Sequence, residues 1–233
     1  MNFLFTPLPI PVANQYRVGI CVFLADPATE QLHVGVLYAA PREELQFLHL
    51  AFHARLTCEP FHRAFRNDRP YVGVVPEVDP VLWPSVVAVC RRIIARNGQG
   101  IPYGVLYDGG RFLKDGSLEL GAGARGLTCA TFVLHVFESV GKTLLDIATW
   151  QPRADDAVWH RRIVANLETF RQKYPKELSQ AHIEAVRLEE GCARIRPEEV
   201  VGGSTSDTTP APFQAAVVRG GAVRARLAAS VGP

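Results

Sequence analysis

Gly126-Leu-Thr-Cys-Ala-Thr-Phe-Val-Leu-His-Val-Phe-Glu-Ser-Val-Gly141 is the stretch around which the chain is organised. It reads as a helix entered through Thr128, whose hydroxyl can accept one of the orphan N–H groups of a helix start. Gly141 supplies the left-handed residue that closes it. Cys129, Phe132, Val133, Val136 and Val140 recur at helical spacing and mark a buried face. Cys129 therefore stands in the first turn, on the side that looks into the protein. The partial positive charge of a helix start favours a thiolate there. Such a cysteine is either a nucleophile or a small buried hydrophobe, and the rest of the chain has to decide.

With 233 residues, 48% hydrophobic and 21% charged, the chain can bury a core that needs no staples. Its five cysteines (Cys21, Cys58, Cys90, Cys129, Cys192) are odd in number and contain no C-x-x-C pair. That points to a reducing compartment and away from a disulfide framework or a zinc ribbon. A net charge of +2 gives no reason to expect a nucleic-acid partner. Arginine supplies 21 of the 25 basic residues, a bias typical of GC-rich bacterial coding. Met1 to Asn14 is punctuated by proline and has no basic region, so no signal peptide is expected, and no apolar run reaches a membrane span. A cytoplasmic location follows, and any action outside the cell calls for a non-standard export route. No metal or cofactor is implied.

Three apolar runs, residues 16–24, 32–38 and 46–53, are separated by turn signals at Ala25-Asp-Pro27 and Pro41-Arg-Glu-Glu44 and predict an antiparallel meander. Asp79 to Asn97 predicts a helix with Pro84 near its start and Gly98 as its stop. Residues 98–125 carry eight glycines and read as loop. Asp155 or Asp156 caps a helix bearing Trp159, Ile163, Leu167 and Phe170, and Lys176 to Glu190 forms another. Arg153, Asp155 and Asp156 read as a helix cap with a surface ion pair. From Gly202 the composition turns to Gly, Ser, Thr and Pro. Residues 1–201 are therefore expected as one domain and 202–233 as a flexible linker and tail, with a small hairpin around Gly220-Gly221 as the alternative for its end.

Period-two alternation places His33, Gly35 and Leu37 on one face of the second strand. It places Phe47, His49, Ala51 and His53 on one face of the third. A turn centred at Pro41 sets His33 opposite His49. A turn one residue later sets His33 opposite Ala51, with His49 as its diagonal neighbour. In either register the imidazoles can meet. A histidine flanked by Leu48 and Leu50 must bond something. Two facing histidines and a helix-N-terminal cysteine have a clear use. His33 takes the thiol proton, His49 fixes the ring of His33, and N–H groups of the helix start face the developing oxyanion. His53 is the substitute for His49. His135, six residues after Cys129 and about 240° around the helix, faces away as a surface or packing histidine.

Gly126-Leu-Thr-Cys-Ala-Thr-Phe-Val133, preceded by Ile101-Pro-Tyr-Gly104, resembles the cysteine-bearing helix start of NlpC-type papain-like hydrolases. His33-Val-Gly-Val-Leu-Tyr38 followed by Phe47-Leu-His-Leu50 resembles the circularly permuted branch, in which histidines precede the cysteine. That branch includes lecithin:retinol acyltransferase-like proteins and related bacterial hydrolases. The resemblance covers roughly residues 16–145. It implies an α+β papain-like fold with an antiparallel sheet packed against a central helix, Cys129 as nucleophile, His33 as base and His49 as orienting residue. In the unpermuted order the base falls instead on His182, within a segment that reads as helix.

The expected activity is a cysteine hydrolase cleaving an amide, peptide or isopeptide bond through an acyl-enzyme. An acyltransferase or thioesterase shares that intermediate and differs in what attacks it. A broad apolar groove favours acyl chains, and a polar cleft with Arg or Asp favours peptide. A non-catalytic binding module of the same fold is the remaining alternative.

Overall fold

The apolar runs pair as the alternation requires. The computed structural model describes residues 14–65 and 70–230, so the reading of the N-terminal stretch falls outside the described residues except at Asn14. Strands β1 (Arg17–Asp26), β2 (Gln31–Ala39), β3 (Gln46–Phe52), β4 (Arg55–Pro60) and β5 (Tyr71–Val74) form one antiparallel sheet in the order β4-β3-β2-β1-β5. A short helix, α1 (Phe61–Ala64), follows β4. The strands β4 and β5 extend the predicted three-strand meander at its two edges. His53 lies just past β3, in the turn to β4.

One face of the sheet carries Val18, Ile20, Val22, Val34, Val36, Leu48 and Leu50 into the main core. There they meet α2 (Trp83–Arg96) and α3 (Cys129–Glu138). Phe132 and Phe137 of α3 are fully buried, each contributing roughly 2–3 kcal/mol of transfer free energy. The opposite face carries Cys21, Phe23, Leu37 and Phe47 under Phe61 and Phe65. Residues 98–125 are more than loop, because β6 (Gly110–Phe112) and β7 (Leu118–Leu120) pair as a hairpin. His135, read as surface or packing, is a packing residue: it is buried beside Tyr107, and its Nδ1–H donates to the Thr131 carbonyl at 2.8 Å. A third cluster joins Tyr103 and Val105 to α4 (Asp156–Lys173) and α5 (Gln180–Arg187). Together these elements make an α+β fold with an antiparallel sheet packed on a central helix.

The expectation of a flexible tail from Gly202 is overturned. Helices α6 (Pro197–Ser204) and α7 (Phe213–Ser230) pack together, and Val200, Val201, Ala211, Ala216, Val223 and Leu227 belong to the main core. The glycines read as linker residues instead allow two helices to touch backbone to backbone. A Cβ on Gly202 would come within 2.5 Å of the Gly220 nitrogen. Gly220 lies inside α7, so the alternative hairpin around Gly220-Gly221 is excluded as well. Among the described residues, no helix is long and apolar enough to cross a membrane.

Candidate active site

Cys129 is delivered by a short backbone ladder. Leu127 N–H donates to the Pro102 carbonyl at 2.9 Å, and Gly104 N–H donates to the Leu127 carbonyl at 3.4 Å. The segments touch so closely that a Cβ on Gly126 would fall 2.2 Å from the Pro102 oxygen, and one on Gly104 would fall 2.4 Å from the Gly126 nitrogen. Thr128 then caps α3 in a reciprocal box with Thr131: each side-chain oxygen accepts the other's backbone N–H, at 3.1 and 2.8 Å. Gly141, with φ +76°, closes the far end as its position predicts. Glu189, itself buried, accepts the N–H groups of Val105, Leu106 and Arg125, so one carboxylate ties both segments that lead to the cysteine.

The β2–β3 ladder pairs Val36 with Leu48, Leu37 with Phe47 and Tyr38 with Gln46. Carried on by alternation, this is the later of the two registers, with His33 level with Ala51 and His49 on the diagonal. His33 Nε2 and His49 Nδ1 lie 2.8 Å apart and share a hydrogen bond. Phe23 packs against the His33 ring and Phe47 stacks on His49, with ring centroids 5.3 and 4.6 Å apart. Gly35 makes room for this pair. A Cβ there would meet the Leu48 oxygen at 2.6 Å and the His49 Cβ at 2.7 Å.

Beyond the ladder's end, the Val34 N–H comes close enough to the Cys129 thiol to favour its thiolate. The sulfur thus lies near the peptide that joins His33 to Val34. The His33–His49 bond occupies His33 Nε2. Both imidazoles share the sheet face of Phe23 and Phe47, whereas Cys129 packs against the main-core cluster. Burial pushes the Cys129 thiol above its ordinary value. The N–H groups of Val34, Ala130 and Cys129 and the positive charge of Arg194 act in the opposite direction. At the thiol, desolvation outweighs the helix start, which runs against the expected resting thiolate.

The substitute histidines are committed elsewhere. His53 Nδ1 accepts the Tyr103 N–H at 3.2 Å, which leaves its Nε2–H to donate to the Glu177 carbonyl at 3.3 Å. Burial, reinforced by His182, holds its pKa down to about 4. His182, on α5, donates through Nε2 to the Tyr103 carbonyl at 2.8 Å. Both imidazoles hold the Tyr103 peptide groups in place.

Two residues within electrostatic reach of the thiol have no role assigned to them by the sequence. The Tyr103 ring is buried within electrostatic reach of Cys129, and its hydroxyl makes no hydrogen bond among the described residues. Arg194 also lies within electrostatic reach of the thiol. The Ile101-Pro-Tyr-Gly104 motif singled out the first, whereas no local pattern marks the second. Of the group read as a helix cap with a surface ion pair, the exposed Asp155 stands at the cap position and supplies the ion pair. Asp155 makes no capping bond and pairs with Arg196, while Asp156 is buried and accepts the N–H groups of Arg153 and Arg194. Among the described residues, no three His, Cys, Asp or Glu side chains are placed to hold a metal ion. All five cysteines are free. No protein-family model, curated protein or solved structure matches the chain.

Proposed function

We propose that the protein is a cysteine hydrolase acting on an amide or peptide bond, with Cys129 as nucleophile, His33 as base and His49 as orienting residue. The observation that carries this reading is a helix-N-terminal thiol close enough to the His33–Val34 peptide for its N–H to favour the thiolate, with the His33 imidazole hydrogen-bonded to His49 at 2.8 Å. In the tautomer in which His33 Nε2–H donates to His49, Nδ1 is the basic nitrogen. As the thiol attacks the carbonyl carbon, its proton passes to Nδ1 and the S–C bond forms. The N–H groups of Cys129 and Ala130, with the Tyr103 hydroxyl, are the donors for the oxyanion. The C–N bond then breaks, and His33 returns the proton to the leaving amine. Water attacks the thioester with His33 again as base, and the C–S bond breaks to restore the thiol. The Arg194 guanidinium makes the surroundings polar, which favours a peptide-like substrate over a long acyl chain.

An activated ester tests this. Incubation with p-nitrophenyl acetate, followed by mass spectrometry, is expected to show acetylation and then deacetylation of Cys129. His33→Ala is expected to slow acylation by about 100-fold or more, the range of a general base. A half-buried thiol whose pKa desolvation raises reacts more slowly than free cysteine unless His33 assists it. Acetylation of Cys129 slower than that of free cysteine, and unchanged in His33→Ala, overturns the reading and leaves the binding module.

A further inference from the structure

We infer that Arg194 is the recognition group for a carboxylate carried by the substrate close to the bond that Cys129 attacks. The inference rests on Cys129 being the nucleophile, and it names the class of acyl donor. Arg194 lies in the segment Cys192 to Ile195, which runs along the seam between two core clusters. Cys192 packs with the Tyr103 cluster, while Ala193 and Ile195 pack with the main core to which Cys129 is joined. Cys129, Trp159 and Arg194 each keep part of their surface exposed, so the seam reaches solvent.

The main chain of Arg194 is held at both ends of the residue. Its N–H donates to the buried Asp156 carboxylate at 3.2 Å, and its carbonyl accepts from Arg153 Nη2 at 2.6 Å. Arg153 is itself anchored by the buried Glu199. The side chain is oriented too, because its guanidinium carbon lies 4.2 Å from the Trp159 ring centroid. What the guanidinium lacks is an anion. Among the described residues it makes no hydrogen bond or salt bridge, and its buried Nε is unpaired. Glu198, the nearest carboxylate by its electrostatic influence, bonds Arg224 through Oε1 at 2.8 Å and makes no hydrogen bond to Arg194, its Oε2 staying unpartnered. Burial pushes the guanidinium below its ordinary value, and the neighbouring Arg196 adds to that.

A desolvated, pre-oriented and unpaired guanidinium is unfavourable by itself and strongly favourable once a carboxylate fills its fork. The Cys129 thiol and the Tyr103 hydroxyl lie within its electrostatic reach. A carboxylate placed there sets the adjoining carbonyl against the thiol. The recognised substrates are therefore acidic amides or peptides, with the carboxylate a few bonds from the scissile carbonyl.

Iodoacetate and iodoacetamide differ only in that carboxylate. Each forms an S–C bond at Cys129 and releases iodide, with the thiol proton going to His33 or solvent. Relative to the same ratio for free cysteine, the iodoacetate-to-iodoacetamide rate ratio at Cys129 is expected to be raised by about tenfold, the scale of one charge-assisted bond pair. Arg194→Met is expected to abolish the preference, and Arg194→Lys to retain part of it. An equal slowing of both reagents in Arg194→Met overturns the inference, since Arg194 then acts on the thiol alone.

Binding is read separately by titrating acetate against acetamide and following tryptophan fluorescence, because Trp159 stacks on the guanidinium. Saturable quenching by acetate alone, surviving in Cys129→Ala and lost in Arg194→Met, supports the inference. No response of the wild-type protein to acetate, with Cys129 still acetylated by the activated ester, overturns carboxylate recognition and leaves the nucleophile standing. Acetate binding in a protein whose Cys129 never acylates overturns the acyl-donor assignment together with the nucleophile.

Discussion

The molecule holds two pairs of neighbouring imidazoles that look alike in composition and differ in what their nitrogens do. In the pair His33 and His49, ring nitrogens bond each other at 2.8 Å. In the pair His53 and His182, the rings stand 4.9 Å apart and their hydrogen bonds run to the main chain, at Tyr103 and Glu177. Both pairs are shielded by aromatic rings, Phe23 and Phe47 in the first and Phe170 in the second. Burial alone therefore does not mark a working histidine. A nitrogen bonded to a peptide group stabilises one tautomer and one backbone path, whereas two imidazoles bonded to each other can hand on a proton without breaking a secondary-structure bond.

The largest expected effect sets these pairs against each other. His33→Ala should lower the acylation rate of the folded protein by about 100-fold or more, on top of the stability it costs by opening a cavity beside Phe23. His53→Ala should leave the acylation rate of the folded protein nearly unchanged, while removing the partner of the Tyr103 N–H and opening a cavity costs about 2–3 kcal/mol of stability. Acetyl transfer and denaturant unfolding measured on the same two variants check both halves. A His53→Ala protein that folds normally but fails to acylate would merge the two pairs into one site.

Next in size is a pH effect confined to the second pair. His53 is depressed to about 4 in the folded protein, first by burial and then by His182, whereas the unfolded chain titrates near 6.5. The unfolded chain therefore takes up the proton first as pH falls. Stability that is complete above about 6.5 is lost between about 6.5 and about 4, by roughly 2–3 kcal/mol. His53→Asn offers an acceptor to the Tyr103 N–H without the titration, so the difference between its urea midpoint and that of the wild type should shrink over this interval. A constant difference would mean that His53 takes up its proton alike in the folded and unfolded states, so that burial does not depress it.

How much of this arrangement was legible depended on whether its cause is local. The shared face of His33 and His49 follows from period two, and the Thr128 cap and Gly141 stop follow from residue type. The register between two possible turns was left open. It is set by the contact of Gly35 with the Leu48 carbonyl and by the turn at Arg42, which takes φ +64°. Arg194 could not be found from its own neighbourhood, because its position depends on Asp156 and Arg153, 38 and 41 residues away. The glycines at 202 and 220 carry the same lesson. A glycine at a helix crossing and a glycine in a linker look alike until the partner helix is known.

The smallest effect concerns His49, and it sharpens the comparison most. If His49 only orients His33, His49→Ala should cost about tenfold in acylation, the scale of one hydrogen bond. An amide can take over that bond, so His49→Gln or His49→Asn should recover most of the loss. If His49 instead relays the proton, no amide replaces it, and the variants should be as slow as His49→Ala with a shifted pH profile. The acylation rate against pH for the alanine and amide variants therefore separates orientation from relay, the one property that the His53–His182 pair, bonded to peptide groups, lacks.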